Sequence, residues 1–285
     1  MDARQFLGME PTEDGSLHWR LPVTREVSTP GAFLYGGCGL GAALVALEEA
    51  SGRPTVWAAA QYLSFAPTGG VVDLEVVLAA VGRHVTQGRV VGTLEGREIL
   101  TVNAALGTGR YPVEGTWIDP PEVPEPLECP ESEPLAIFAD SILTRVEHRV
   151  ALGSVMGSDG PPSPPGGPGS PGDGASAFWA RVPEHLGPSA ATLAILGDYV
   201  SGGVSQPTGV RTMGRSLDNT LRIARLVPTE WILCDIRIHG VARGFAHGRA
   251  HLWSENRVLL GTASQSLSVR PWPDAAPPGL TAGRP

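Results

Sequence analysis

Arg83-His-Val-Thr-Gln-Gly-Arg89 and Arg243-Gly-Phe-Ala-His-Gly-Arg249 carry one pattern twice. Arg83, Gly88 and Arg89 recur as Arg243, Gly248 and Arg249, and Arg97 recurs as Arg257, each 160 positions on (243 − 83, 257 − 97). In the same register Arg97–Leu106 lies over Arg257–Ser266, and Val72–Leu78 lies over Ile232–Ile238. A repeat of this length marks a duplicated domain, not a solenoid of short units.

Working outward, each copy shows the same order of elements. A small-residue-rich apolar helix comes first, near 39–50 and again near 189–200. Four strands follow, near 54–66, 71–82, 86–95 and 98–107, then near 211–226, 231–242, 246–255 and 257–270. β-branched residues dominate them, and Pro67-Thr-Gly-Gly70, Glu95-Gly96, Val227-Pro-Thr229 and Glu255-Asn256 mark the joins. An earlier strand opens each copy, near 16–23 and 142–155, and Phe178–Val182 reads as another. Ala190-Ala-Thr-Leu-Ala-Ile-Leu-Gly197 has no polar face, so that helix must be buried on all sides. The expectation is an α+β double hotdog: two copies of a long antiparallel sheet, each wrapping a central buried helix.

The predicted organisation is an N-terminal hotdog over 1–110, an acidic Pro-rich linker over 111–135, a C-terminal hotdog over 136–272 and a disordered tail over 273–285. Ser158–Gly174 is low-complexity Pro/Gly/Ser sequence, expected to be a mobile loop within the second copy. The net charge is −8, and Tyr111–Glu133 holds seven acidic residues and no basic one, which reads as a solvated connector. No basic footprint for nucleic acid is present. All 21 basic residues are arginine. Without lysine there is no Schiff-base chemistry and no Walker A loop. Cys38, Cys129 and Cys234 are odd in number and widely spaced, which argues against a disulfide framework or thiolate zinc site and for a reducing cytoplasmic setting. No apolar run is long enough to span a membrane, and the N-terminus has no signal-peptide pattern.

Candidate chemistry sits where polar groups interrupt apolar faces. Asp198 is the one carboxylate on the second apolar helix. A lone buried carboxylate is costly unless paired, so it is either functional or close to solvent at the helix end. In the last strand Leu259, Gly261, Ala263, Gln265, Leu267 and Val269 share a face, and Gln265 stands mid-face needing partners. Ser216-Leu-Asp-Asn-Thr220 opens the long strand after the helix; Ser216, Asp218 and Thr220 share a face by simple alternation, so spacing does not choose among them.

Tyr35-Gly-Gly37, Leu196-Gly-Asp-Tyr199, Ser216-Leu-Asp218 and Ala263-Ser-Gln265 together resemble the acyl-CoA thioesterase II family, across the whole chain apart from the linkers. That resemblance implies a double hotdog that hydrolyses fatty acyl-CoA in lipid metabolism, with no cofactor and no metal. It implies catalytic residues at Asp198, Ser216 and Gln265. Where the family often continues with His and an aromatic-rich Trp-Phe-His, this chain has Asn219-Thr-Leu-Arg-Ile223, which bears on the acyl chains accepted.

Between the copies, helix register sets Glu49 against Asp198, the strand repeat sets Ala105 against Gln265, and Ser216 falls against Val56 or Trp57. One site per chain is expected, in the second copy, with water activated by Asp198 attacking the thioester directly. Two rivals stand beside this reading: a non-catalytic acyl-CoA binder, and a hydratase or dehydratase, which needs a histidine that neither central helix supplies. There is no GxSxG elbow, and the histidines at 247 and 251 lie on a strand outside any HExxH. The partners expected are an acyl-CoA substrate and further copies of the chain, since hotdog sheets expose edges and faces that pair.

Overall fold

A computed structural model describes residues 1–12, 15–131, 139–182 and 186–272. The first copy holds α1 (Ala3–Leu7), β1 (Glu10–Thr12), β2 (Gly15–Pro22), α2 (Gly36–Ser51), β3 (Thr55–Tyr62), β4 (Val71–Val81), β5 (Val85–Leu94) and β6 (Arg97–Gly107). The second opens with β7 (Glu147–Leu152), a small hairpin of β8 (Ser154–Val155) and β9 (Ser158–Asp159), and β10 (Ala175–Arg181). Next come α3 (Ala190–Gly197), a 3-10 turn over Asp198–Gly203 and α4 (Ser205–Thr208). It closes with β11 (Thr212–Ser216), β12 (Asp218–Ile223), β13 (Ile232–Ala242), β14 (Phe245–Ser254) and β15 (Leu259–Pro271).

The expected α+β double hotdog is what forms. The two copies share one antiparallel sheet in the order β1-β2-β4-β5-β6-β3-β12-β15-β14-β13-β10-β7, with β11 extending β12 along β15. Its central seam is β3 against β12, where Ala58, Ala59 and Ala60 oppose Leu221, Thr220 and Asn219. The helices α2 and α3 lie inside the sheet and run antiparallel against each other. Their small residues make this possible: a side chain on Gly37 would come within 2.8 Å of the Ala194 carbonyl oxygen, and one on Gly41 within 3.3 Å of the Ala191 carbonyl oxygen. The Tyr35 hydroxyl adds a hydrogen bond to the Ile195 carbonyl at 3.3 Å. One apolar core runs through both copies, from Leu40, Leu44 and Leu47 to Leu193, Ile195 and Val200.

Three expectations change. The strand read as continuous near 211–226 is broken at Leu217. Ser216 opposes Leu267 while Thr220 opposes Ser264, so four residues are matched against three, and a bulge absorbs the extra one. The helix read to residue 200 stops as an α-helix at Gly197 and tightens to 3-10 at Asp198. The acidic connector is not simply solvated. Its Pro124 carbonyl accepts the Trp179 indole N–H at 2.9 Å, and Cys129 is buried against an outer cluster of Trp179, Trp231 and Trp253. Its carboxylates pair with the second copy, Glu122 with Arg257 at 2.8 Å and Glu114 with Arg225.

In the Pro/Gly loop, the Gln206 amide donates to the Gly169 and Ser170 carbonyls at 2.7 and 3.0 Å. The Asp173 carboxylate accepts from the Gly169 and Ala175 N–H groups. The far end of the loop is therefore tied to α4 and β10. The last residues of the 111–135 connector and the tail 273–285 lie outside the described residues.

Candidate active site

Gly197 fixes where Asp198 stands. A side chain at Gly197 would meet the Ala263 methyl at 2.8 Å, so α3 presses its end flat against β15. The next residue is then delivered to the helix–sheet seam, where Asp198 is 3% exposed.

Its carboxylate is held from three directions. Oδ2 accepts the backbone N–H of Gly37, in the first turn of α2, at 2.7 Å. Oδ1 accepts the Ser216 hydroxyl at 3.3 Å and the Gln265 amide, and Gln265 also donates to Ser216 Oγ at 3.2 Å. The three residues singled out from sequence therefore meet. Asp218 and Thr220 do not join them: the Asp218 carboxylate accepts the Ser266 backbone N–H at 2.8 Å. The bulge at Leu217 turns Ser216 and Asn219 to the inner face and takes Asp218 off it.

Burial drives the Asp198 pKa up to about 7, while the Gly37 N–H and the Gln265, Ser216 and Asn219 side chains pull it back down. The desolvation wins because the carboxylate is fully enclosed, yet no cation pairs with it among the described residues. A carboxyl balanced near neutrality suits a general base.

Three further groups were not read from sequence. The Gly37 N–H is a backbone donor, whose sequence signal is the Gly36-Gly37 pair at a helix start. Asn219 is fully buried on β12, beside the carboxylate without completing a hydrogen bond. Tyr62 ends β3, and its buried hydroxyl lies beside the Asn219 side chain without completing a hydrogen bond. Gly36 separates Tyr62 from Asp198, since a side chain there would lie 2.9 Å from Asp198 Oδ2 and 3.1 Å from the Tyr62 hydroxyl. A polar residue on the strand face it shares with Leu221 and Ile223 is the signal that could have found Asn219.

Asp198, Ser216, Gly36 and Tyr62 all line one cavity of about 860 Å³. Its walls are largely apolar, including Leu34, Ile99, Leu100, Leu143 and Met156. Size and lining suit a ligand with a hydrophobic body and one polar centre. Cys38, next to this site in sequence, is fully buried and its thiol pKa is raised, so it stays protonated and unreactive. The described residues hold no group of three or more metal-ligating side chains and no helix long and apolar enough to cross a membrane.

The first copy has no matching set. Leu47 packs under Gly88 as Val200 packs under Gly248, so the helices correspond at an offset of 153 (200 − 47). Asp198 is thus answered by Val45, not Glu49, which is exposed. The strand register Ala58 to Ala104 against Thr220 to Ser264 sets Pro54, not Val56 or Trp57, opposite Ser216. Ala105 answers Gln265, as the repeat implied.

Residues 119–269 match the family described as acyl-CoA thioesterase C-terminal domain. Among solved structures, a protein of Novosphingobium aromaticivorans assigned as a thioesterase is 32% identical, with a TM-score of 0.79 over 90% of this chain and 97% of that one. A hotdog protein from Alicyclobacillus acidocaldarius superposes with a TM-score of 0.80 at 17% identity, covering 94% and 97%. Acyl-CoA thioesterase II TesB2 from Mycobacterium marinum does so at 0.71 and 16%, covering 95% and 99%. No curated protein matches the chain. From its family match over residues 119–269, the chain belongs to the acyl-CoA thioesterase family.

Proposed function

We propose that the chain hydrolyses fatty acyl-CoA to the free acid and coenzyme A, with Asp198 as general base and with Ser216 and Gln265 orienting it and the attacking water. The convergence of these three side chains, with Asp198 and Ser216 at the wall of an apolar cavity, carries the reading. Asp198, ionised, takes a proton as water oxygen bonds to the thioester carbonyl carbon. The tetrahedral oxyanion collapses, the C–S bond breaks, and the proton held by Asp198 passes to the departing thiolate. Base action of this kind contributes roughly 10²–10⁴-fold.

The oxyanion needs donors that face the cavity. Gly36 is the first residue of α2, so its N–H has no acceptor within the helix, and it lines the cavity beside the unpartnered Tyr62 hydroxyl. These two donors flank Asp198 and complete the set needed for direct hydrolysis without an acyl-enzyme.

A thiol-release assay across acyl-CoA chain lengths tests the reading. Wild type should release coenzyme A and fatty acid in equal amounts, and Asp198→Ala should lose turnover while its circular dichroism spectrum is retained. Near-normal turnover in that variant refutes the assignment of Asp198. Tight acyl-CoA binding by wild type with no release favours a binder instead.

A further inference from the structure

The cavity mouth carries a charge pattern that the hydrolytic groups do not use. Arg211, Arg215 and Arg270 all line it, and all three are exposed. Their placement follows from strand register. Met213 opposes Arg270 and Arg215 opposes Ser268 between β11 and β15, and the Trp272 N–H bonds the Arg211 carbonyl at 2.7 Å. Opposed residues share a face, so the three guanidinium groups project from one side of the ribbon. Ser216 and Gln265 project from the other, toward Asp198.

Some arginines of this acidic chain find carboxylates. Arg149 and Arg181 share Glu147, Arg249 takes Asp235 and Arg237 takes Asp173. Among the described residues, no carboxylate pairs with Arg211, Arg215 or Arg270, and Asp198 is the one acidic residue lining the cavity. Two of the three are instead held against rings: Arg215 stands 4.0 Å over Phe65, and Arg211 stands 5.5 Å over Trp272. Ring stacking orients a guanidinium without neutralising it. Three unneutralised cations at the mouth of an apolar cavity, two of them oriented by rings, form a receptor for a polyanion.

We propose that Arg211, Arg215 and Arg270 bind the phosphate groups of coenzyme A, holding the nucleotide end outside while the thioester reaches Asp198. This rests on the acyl-CoA reading above. From Gln265 to Arg270 the strand rises roughly 17 Å, close to the reach of an extended pantetheine arm.

The test compares two thioesters of one acyl group, the coenzyme A ester and the phosphate-free N-acetylcysteamine ester, on wild type and an Arg215→Gln/Arg270→Gln variant. The ratio of kcat/KM for the first over the second should fall at least about tenfold in the variant, and this preference should weaken with added salt. An unchanged ratio overturns the proposal. If wild type hydrolyses neither ester, the hydrolase reading fails on its own. Calorimetric binding of free coenzyme A then decides the arginines: affinity lost in the variant supports them, and equal affinity refutes them.

Discussion

Replacing Asp198 by Asn should abolish hydrolysis and, at alkaline pH, stabilise the protein. The fully buried carboxyl has its pKa raised from near 4 to about 7. An acid whose folded pKa lies above its unfolded value contributes stability that is fully present below about pH 4 and is lost as the pH rises toward 7. Three pH units correspond to about 4 kcal/mol, the cost of holding the ionised form in the core at pH 8. Asn removes that cost and keeps the shape. Its Oδ1 can accept the Gly37 N–H, and its amide can donate to Gln265 Oε1, which has no partner among the described residues, once the Gln265 amide turns over. At roughly 2 °C per kcal/mol for a chain of this length, the variant should melt up to about 8 °C above wild type at pH 8, and level with it at pH 4. Wild type alone would hide the effect. Buried His148, its pKa lowered to about 4, gains stability with rising pH over much the same window and opposes Asp198. Differential scanning calorimetry of both proteins from pH 4 to 8 measures the difference. A melting difference that does not change with pH refutes the reasoning, whatever its size.

The pH profile of kcat/KM should rise with unit slope to a plateau above about pH 7, reporting ionisation of Asp198. Gln265→Ala removes a hydrogen bond that favours the charged form, so it should slow turnover about 10–100-fold and move that limb to higher pH, as read from initial rates across buffers. Tyr62→Phe should lower kcat by about 10²-fold with little change in KM if its hydroxyl stabilises the oxyanion, and steady-state kinetics would show equal kcat if it does not. Gly37→Ala forces a methyl to 2.8 Å from the Ala194 carbonyl oxygen and should cost about 1–3 kcal/mol in urea unfolding; an unchanged midpoint would mean that the two helices can separate freely.

The architecture was legible because duplication prints the same arginines and glycines twice, and because a helix apolar all round has one solution, burial. Asp198 and Gln265 were legible for a related reason: each interrupts a surface that apolar packing otherwise fills. Ser216 could not be separated from Asp218 and Thr220, since simple alternation puts all three on one face. The bulge at Leu217 breaks that alternation, and bulges leave little trace in a single sequence. Glu49 was mismatched because the helices correspond at an offset of 153 while the strands keep 160. Loops of different length connect them, and a repeat found in strands says nothing of register in helices. The Gly36-Gly37 pair marked a helix start, but every residue but proline has an N–H, and only the fold decides that the one from Gly37 points at Asp198.

The bond from Gly37 to Asp198 crosses the boundary between the two copies. The half that lacks a matching aspartate, serine and glutamine still supplies the N–H that seats the carboxylate, and with Gly36 and Tyr62 it walls that side of the cavity. Such a half needs no acid, serine or glutamine of its own, but the site cannot be built without it. The proposed site is thus shared between the halves, as in a dimer where each subunit lends a surface to its neighbour. Here one chain holds both partners, and the loan seen runs one way, from Gly37 to Asp198.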